Sequence, residues 1–150
     1  MKVIKAPEML IDGKSIFLAG SIEMGVAENW QNKVERLLSK TDVVIFNPRR
    51  DDWDSTWIQS IDNPQFLEQV VWELTAMEKA NVIAMYFDPS TKSPISLLEL
   101  GLFARSNKMI VCCPDGFWRK GNVDIVCAKY GVSQVETLDE LTQSIIQKLN

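Results

Sequence analysis

Short, nearly continuous apolar runs alternate along the chain with longer stretches in which apolar residues recur every three or four positions. The runs at residues 15–19, 43–46, 82–87 and 109–113 predict strands, with a fifth near 132–135. They lack an in–out alternation of polar and apolar side chains, as parallel strands covered on both faces do. Between them, residues 27–39 place Trp30, Val34, Leu37 and Leu38 on one helical stripe, and 64–80 do the same with Phe66, Val70, Leu74 and Met77. Residues 93–105 are apolar almost all round, and 138–149 close the chain with an amphipathic helix. Right-handed crossovers then predict one α/β domain over residues 1–150, a five-stranded doubly wound parallel sheet of flavodoxin or Rossmann-like type.

Two predicted connections, 47–63 and 114–122, exceed the usual two to six residues. Both leave the carboxyl edge of the sheet, where open α/β proteins bind ligands. They carry Trp53, Trp57 and Trp118, candidates for stacking walls, beside the polar residues Arg49, Asp52 and Asn122. The turn after the first predicted strand, Gly20-Ser21-Ile22-Glu23-Met24-Gly25, matches neither dinucleotide nor nucleoside triphosphate glycine motifs. Its glycine allows close backbone approach, and Ser21 can hold a hydroxyl or phosphate.

Composition narrows the chemistry. The 150 residues include sixteen Lys plus Arg, twenty Asp plus Glu and no histidine. That excludes Ser-His-Asp and Cys-His nucleophiles, histidine-bearing metal sites and imidazole acid–base catalysis. A formal net charge of −4 disfavours a nucleic acid polymer as partner, while local Arg49-Arg50 or Arg119-Lys120 could still meet a small anion. Cys112, Cys113 and Cys127 show no Cys-x-x-Cys spacing and read as small buried hydrophobes in a reduced compartment. No apolar stretch reaches the ~20 residues of a membrane span and Met1-Lys2-Val3-Ile4-Lys5 opens no signal peptide, so a cytoplasmic protein with no membrane partner is expected.

Carboxylates are left to do the work. Ser93-Pro94 gives an N-cap and a proline at the first helical position. Glu99 is the only ionisable residue between Lys92 and Arg105, with Ile95, Ser96, Leu102 and Phe103 as its helical neighbours. A carboxylate on so apolar a helix is costly unless a partner or a task holds it there. Strand order places it near Gly20 and Ser21. Glu73, Asp88, Asp51, Asp52 and Asp54 are candidates for a second acid.

With these residues assembled, the chain resembles the nucleoside 2-deoxyribosyltransferase family, which includes the related 2'-deoxynucleoside 5'-phosphate N-hydrolases. The resemblance spans about residues 15–131. It is carried by Ile16-Phe17-Leu18-Ala19-Gly20-Ser21-Ile22, by the unit from Glu73 to Phe87, and by Ser93 through Ala104 with its Glu-Leu-Gly. Phe46-Asn47-Pro48-Arg49-Arg50-Asp51-Asp52-Trp53 and Gly116-Phe117-Trp118-Arg119-Lys120-Gly121-Asn122-Val123 look like a shorter subfamily.

The resemblance implies that Glu99 is the nucleophile attacking C1' of the deoxyribose. Glu73 falls where the family has an aspartate beside the sugar, and Phe17 where it commonly has a tyrosine that positions the nucleophile. Ser93 stands where transferases have an aspartate and the nucleotide hydrolases a phosphate-contacting serine. Asn122 corresponds to a polar residue that completes the pocket of a neighbouring subunit. A double displacement at an anomeric carbon needs no metal or cofactor. The implied partners are 2'-deoxynucleosides and free nucleobases, in a homo-oligomer (dimer or hexamer). Two alternatives stay open: hydrolysis of deoxynucleoside 5'-monophosphates, with Ser21, Ser93 and Arg49 or Lys92 on the phosphate, and a nucleotide-binding module without turnover.

Overall fold

The structure, a computed structural model, describes residues 1–22 and 27–150. Its described residues form β1 (Lys2–Lys5), β2 (Ser15–Gly20), α1 (Trp30–Leu37), β3 (Val44–Asn47), α2 (Pro64–Lys79), β4 (Val82–Tyr86), α3 (Pro94–Phe103), β5 (Met109–Cys112), α4 (Lys120–Tyr130), β6 (Ser133–Val135) and α5 (Leu138–Leu149). All strands are parallel, in the order β1-β3-β2-β4-β5-β6.

The sheet therefore has six strands where hydrophobic runs predicted five. The added strand, β1, lies at the sheet's edge with a lysine at each end. An edge strand has a neighbour on one side only and tolerates exposed charge, so it shows no continuous apolar run. Helix α4 also escaped the pattern, because only Val123 and Cys127 of its eleven residues are buried. The connection expected to reach residue 122 consequently ends at Arg119, the residue that precedes α4.

Alternation within the strands sorts the core into two layers. Phe17, Ala19, Ile83, Met85, Phe87 and Val111 face α2, α3 and α4, packing with Trp72, Ala76, Met77, Leu100, Val123 and Cys127. Ile16, Leu18, Ile45, Ala84 and Ile110 face α1 and α5, meeting Trp30, Val34, Leu141 and Ile145. Cys112, Cys113 and Cys127 are buried without disulfides, and burial pushes their thiols up to about 12, about 12 and about 11, away from nucleophilic character. No helix among the described residues is long and apolar enough to cross a membrane.

From β2 the chain steps through α1 to β3, then returns through α2 on the opposite face to β4. The reversal lies between β2 and β4, whose ends meet where Gly20 pairs with Tyr86. Gly20 has φ +128, and a Cβ there would fall on the Tyr86 backbone. The Gly20→Ala variant is expected to lose roughly 3 kcal/mol of stability from the combined conformational and steric penalties, read as a shift in the urea unfolding midpoint.

Candidate active site

Chain reversal brings two loops together beyond β2 and β4. Ser21 leaves β2 with its N–H bonded to Tyr86 O at 2.9 Å, and its own carbonyl accepts the Trp30 indole N–H at 3.0 Å. Trp30 is fully buried and packs on Tyr86 with ring centroids 5.5 Å apart. The rest of the expected glycine turn, Glu23, Met24 and Gly25, lies outside the described residues.

Ser21, Thr91 and Ser93 form a buried hydroxyl cluster. Ser21 Oγ lies 2.6 Å from Ser93 Oγ, Thr91 Oγ1 lies 2.7 Å from Ser93 Oγ, and Ser21 and Thr91 stand 3.0 Å apart. Asp88 N–H donates to Ser21 Oγ at 2.8 Å, while Thr91 Oγ1 donates to Asp88 O at 2.9 Å. Each hydroxyl has one proton, so a consistent circuit runs from Asp88 N–H through Ser21, Ser93 and Thr91 back to Asp88 C=O. Ser93 has φ 47, a left-handed conformation that costs a non-glycine residue on the order of 1–2 kcal/mol. It occupies the N-cap position of α3, as its sequence context predicts, but its side chain makes no capping bond to the helix. Its hydroxyl is turned into the cluster instead. The link ties the start of α3 to the end of β2.

On α3 the buried residues are Ser96, Glu99 and Leu100, one face of the helix. Glu99 is only 8% exposed, and its carboxylate has no hydrogen bond among the described residues. Burial, and then the charge of Glu73, push its pKa up to about 8. Glu73 sits on α2 with its carboxylate largely surrounded by protein; burial raises it to about 7, partly opposed by a 2.7 Å hydrogen bond from Gln69 Nε2. Two carboxyl groups lifted by burial to about 7 and about 8, Glu99 further by the charge of Glu73, hold at least part of a proton near neutral pH. Such a pair can supply a nucleophile and an acid from side chains alone.

The other expected residues divide. Phe17 is fully buried and packs on Trp72 at 6.3 Å between centroids. Its side chain points into the α2–α3 layer, whose helices carry Glu73 and Glu99, but it has no hydroxyl to offer either acid. Asp88 is a loop clamp, its oxygens accepting Ser90 N–H and Oγ and Glu28 N–H, bonds that hold its pKa low against the effect of burial. Arg49 braces the entry to α1 through the carbonyls of Ala27 and Glu28 and the Gln31 side chain. Ser21 and Ser93 are buried and committed to their cluster.

In the long loop, Trp53 and Trp57 stand edge to face with centroids 4.9 Å apart. Asp52, exposed, holds Arg50 through two bonds of 3.0 and 3.1 Å. Asn122 lines a cavity of about 470 Å³ with Leu97, Leu100, Gly101 and Arg119, between α3 and α4. Trp118 donates its indole N–H to Lys92 O at 2.8 Å, and the Lys92 and Arg119 cations stand 4.4 and 4.5 Å from its ring centroid. Among the described residues no cluster of metal-binding side chains occurs. Sequence reasoning missed Thr91 and Gln69. Gln69 was findable, since it sits one helical turn before Glu73.

The carboxyl pair makes a stability prediction with a definite sign. Both folded pKa values exceed the ordinary 4.5, so the native state binds these protons more tightly than the unfolded chain. Their contribution is fully present below about pH 4.5 and lost as pH rises through about 7 and 8. Glu99→Gln is therefore expected to be more stable than the parent at pH 8.5, by on the order of 3 kcal/mol, with the gap closing at pH 4.5. Urea unfolding at both pH values measures it.

No curated protein matches the chain. The family model described as nucleoside 2-deoxyribosyltransferase like matches residues 13–117, from just before β2 to the loop that precedes α4. That span contains the strand reversal, the hydroxyl cluster, Glu73 and Glu99. The chain belongs to the nucleoside 2-deoxyribosyltransferase-like family.

Proposed function

We propose that the protein exchanges nucleobases on 2'-deoxyribonucleosides through a deoxyribosyl ester on Glu99. The observation that carries this reading is the buried Glu99 on α3, raised in pKa by burial and by the charge of Glu73, a half-buried acid on α2 whose own pKa is raised. With one proton between the two groups, resting mainly on Glu99, its passage to Glu73 frees the Glu99 carboxylate to attack C1'; the C1'–N bond breaks, and the proton goes from Glu73 to the departing base. This leaves an ester on Glu99, an ionised Glu73 and a neutral free base, so protons and charge balance. A second base then attacks C1' from the vacated face, expels Glu99 and returns a proton to the pair, and configuration is retained.

Two observations favour a nucleoside over a nucleotide. The hydroxyls of Ser21 and Ser93, which a phosphate would need, are buried and bonded to one another. Arg49, a candidate phosphate partner, is engaged on the entry to α1. A binding module without turnover would have no use for paired carboxyl groups held away from water. The nucleotide hydrolase reading keeps its support in Ser93, the position at which the sequence resembles that branch.

A homo-oligomer fits the surface. Ile95, Leu98 and Leu102 form a stripe along α3, 59%, 60% and 56% exposed. Leaving three large aliphatic side chains in water along one helix favours cover by a second copy.

Incubating the protein with thymidine and either hypoxanthine or adenine is expected to give thymine and the new deoxynucleoside, while a deoxynucleoside monophosphate in water gives no deoxyribose 5-phosphate. Release of deoxyribose 5-phosphate instead would establish the hydrolase, and binding without product in either assay would establish the module. Glu99→Ala is expected to lower exchange by at least ~10³-fold. The kcat/KM of exchange is expected to be bell-shaped, rising through about pH 7 as one carboxyl ionises and falling through about pH 8 as the pair loses its last proton. Glu73→Gln should remove one limb; an unchanged profile would take Glu73 out of the reaction.

A further inference from the structure

Gln69 joins two parts of the structure, the acid Glu73 on α2 and the start of the loop after β3. It is 5% exposed, and its Nε2 donates to Pro48 O at 3.1 Å and to Glu73 Oε1 at 2.7 Å. Pro48 O can only accept, so the amide cannot turn over and offer its oxygen there. That carbonyl is itself held in place. Pro48 follows Asn47, the last residue of β3, whose side chain donates to Glu35 at 2.7 Å and accepts the Arg49 N–H at 2.9 Å. Gln69 Oε1, by contrast, is buried with no hydrogen-bond partner among the described residues. A hydrophobic side chain of the same length would avoid that cost, so what sets glutamine apart here is the N–H it aims at Glu73.

A fixed N–H bonds a carboxylate more strongly than the protonated acid. We propose that Gln69 is a positioning residue for base exchange, holding Glu73 in one orientation and stabilising the carboxylate left once its proton has gone to the departing base. This deepens the base-exchange reading and rests on it. The proton leaves Glu73 as the C1'–N bond breaks, so a bond that strengthens as Glu73 ionises acts on that step and little on binding of the intact nucleoside. Among the described residues Gln69 is the one hydrogen-bond donor to Glu73, and Glu99 on α3 is the charged group coupled to it. From the other elements around α2, β2 brings the uncharged Phe17 to this layer and the loop brings Pro48 O. The hydrogen bond thus works alone against the burial that raises the acid.

Gln69→Met keeps the length of the side chain and removes the N–H. It is expected to lower kcat for exchange at least ~10-fold, with KM changed less than about threefold. Without the donor the Glu73 carboxylate is less favourable, so the ascending limb of the kcat/KM profile should move upward from about pH 7 by at least roughly half a pH unit. Rates are referred to the folded fraction measured by circular dichroism, since a merely structural role would lower that fraction and leave the limb in place. An unmoved limb, in a protein whose parent exchanges bases, would overturn the proposal and leave the exchange reading standing. A parent that exchanges no base takes both away. Should Gln69→Met fail to fold, the parent still decides: by NMR, a Gln69 side-chain N–H is expected to shift as Glu73 titrates near pH 7, and to stop shifting in Glu73→Gln. A Gln69 amide indifferent to pH across that range would equally overturn the proposal.

Discussion

Two carboxylic acids, Glu73 on α2 and Glu99 on α3, sit where burial disfavours their charged forms, and Glu99 also feels the charge of Glu73. Ionising both is unfavourable, and no lysine, arginine or metal-binding cluster among the described residues neutralises them. The fold sustains this because the surrounding layers, built on Trp72, Ala76, Met77 and Leu100, leave neither helix free to turn its acid outward. A structure optimised only for stability would place leucine or glutamine at these positions. The tension is a signature of chemistry, and in a chain without histidine it is the chemistry that remains available.

What orients Glu99 is built from several weaker devices. The family's tyrosine hydroxyl has no counterpart in Phe17, which is core. Instead, the start of α3 is fixed through Ser93, held in a left-handed conformation by the Ser21–Thr91–Asp88 circuit. Gly20 allows β2 to approach the Tyr86 backbone closely, and Trp30 pins the Ser21 carbonyl. Glu99 is thus placed by its helix, and the helix by the two strand ends at the reversal.

Much of this was legible in the sequence, for identifiable reasons. Central parallel strands are apolar on both faces, so β2 through β5 announce themselves, and Glu99 stands out because nothing else on its helix ionises. β1 and α4 did not, since an edge strand with terminal lysines and a helix with two buried residues carry little periodic signal. At the site, residue type indicated polarity and left direction open. Asp88, Arg49 and Ser93 are polar residues at the ligand edge, yet their side chains turn to neighbouring loops, helix starts and hydroxyls. Conversely, Gln69 looks like an ordinary surface residue in the sequence and is buried, donating to Glu73.

The account stands or falls on the bond formed by Glu99. Incubation with a 2-deoxy-2-fluoro nucleoside, whose fluorine slows turnover of a deoxyribosyl ester, followed by proteolysis and mass spectrometry, examines that bond directly. The predicted result is a single fluorodeoxyribosyl adduct on the peptide containing Glu99, discharged when a free base is added. An adduct on any other residue, or continued base exchange with none trapped, would contradict it.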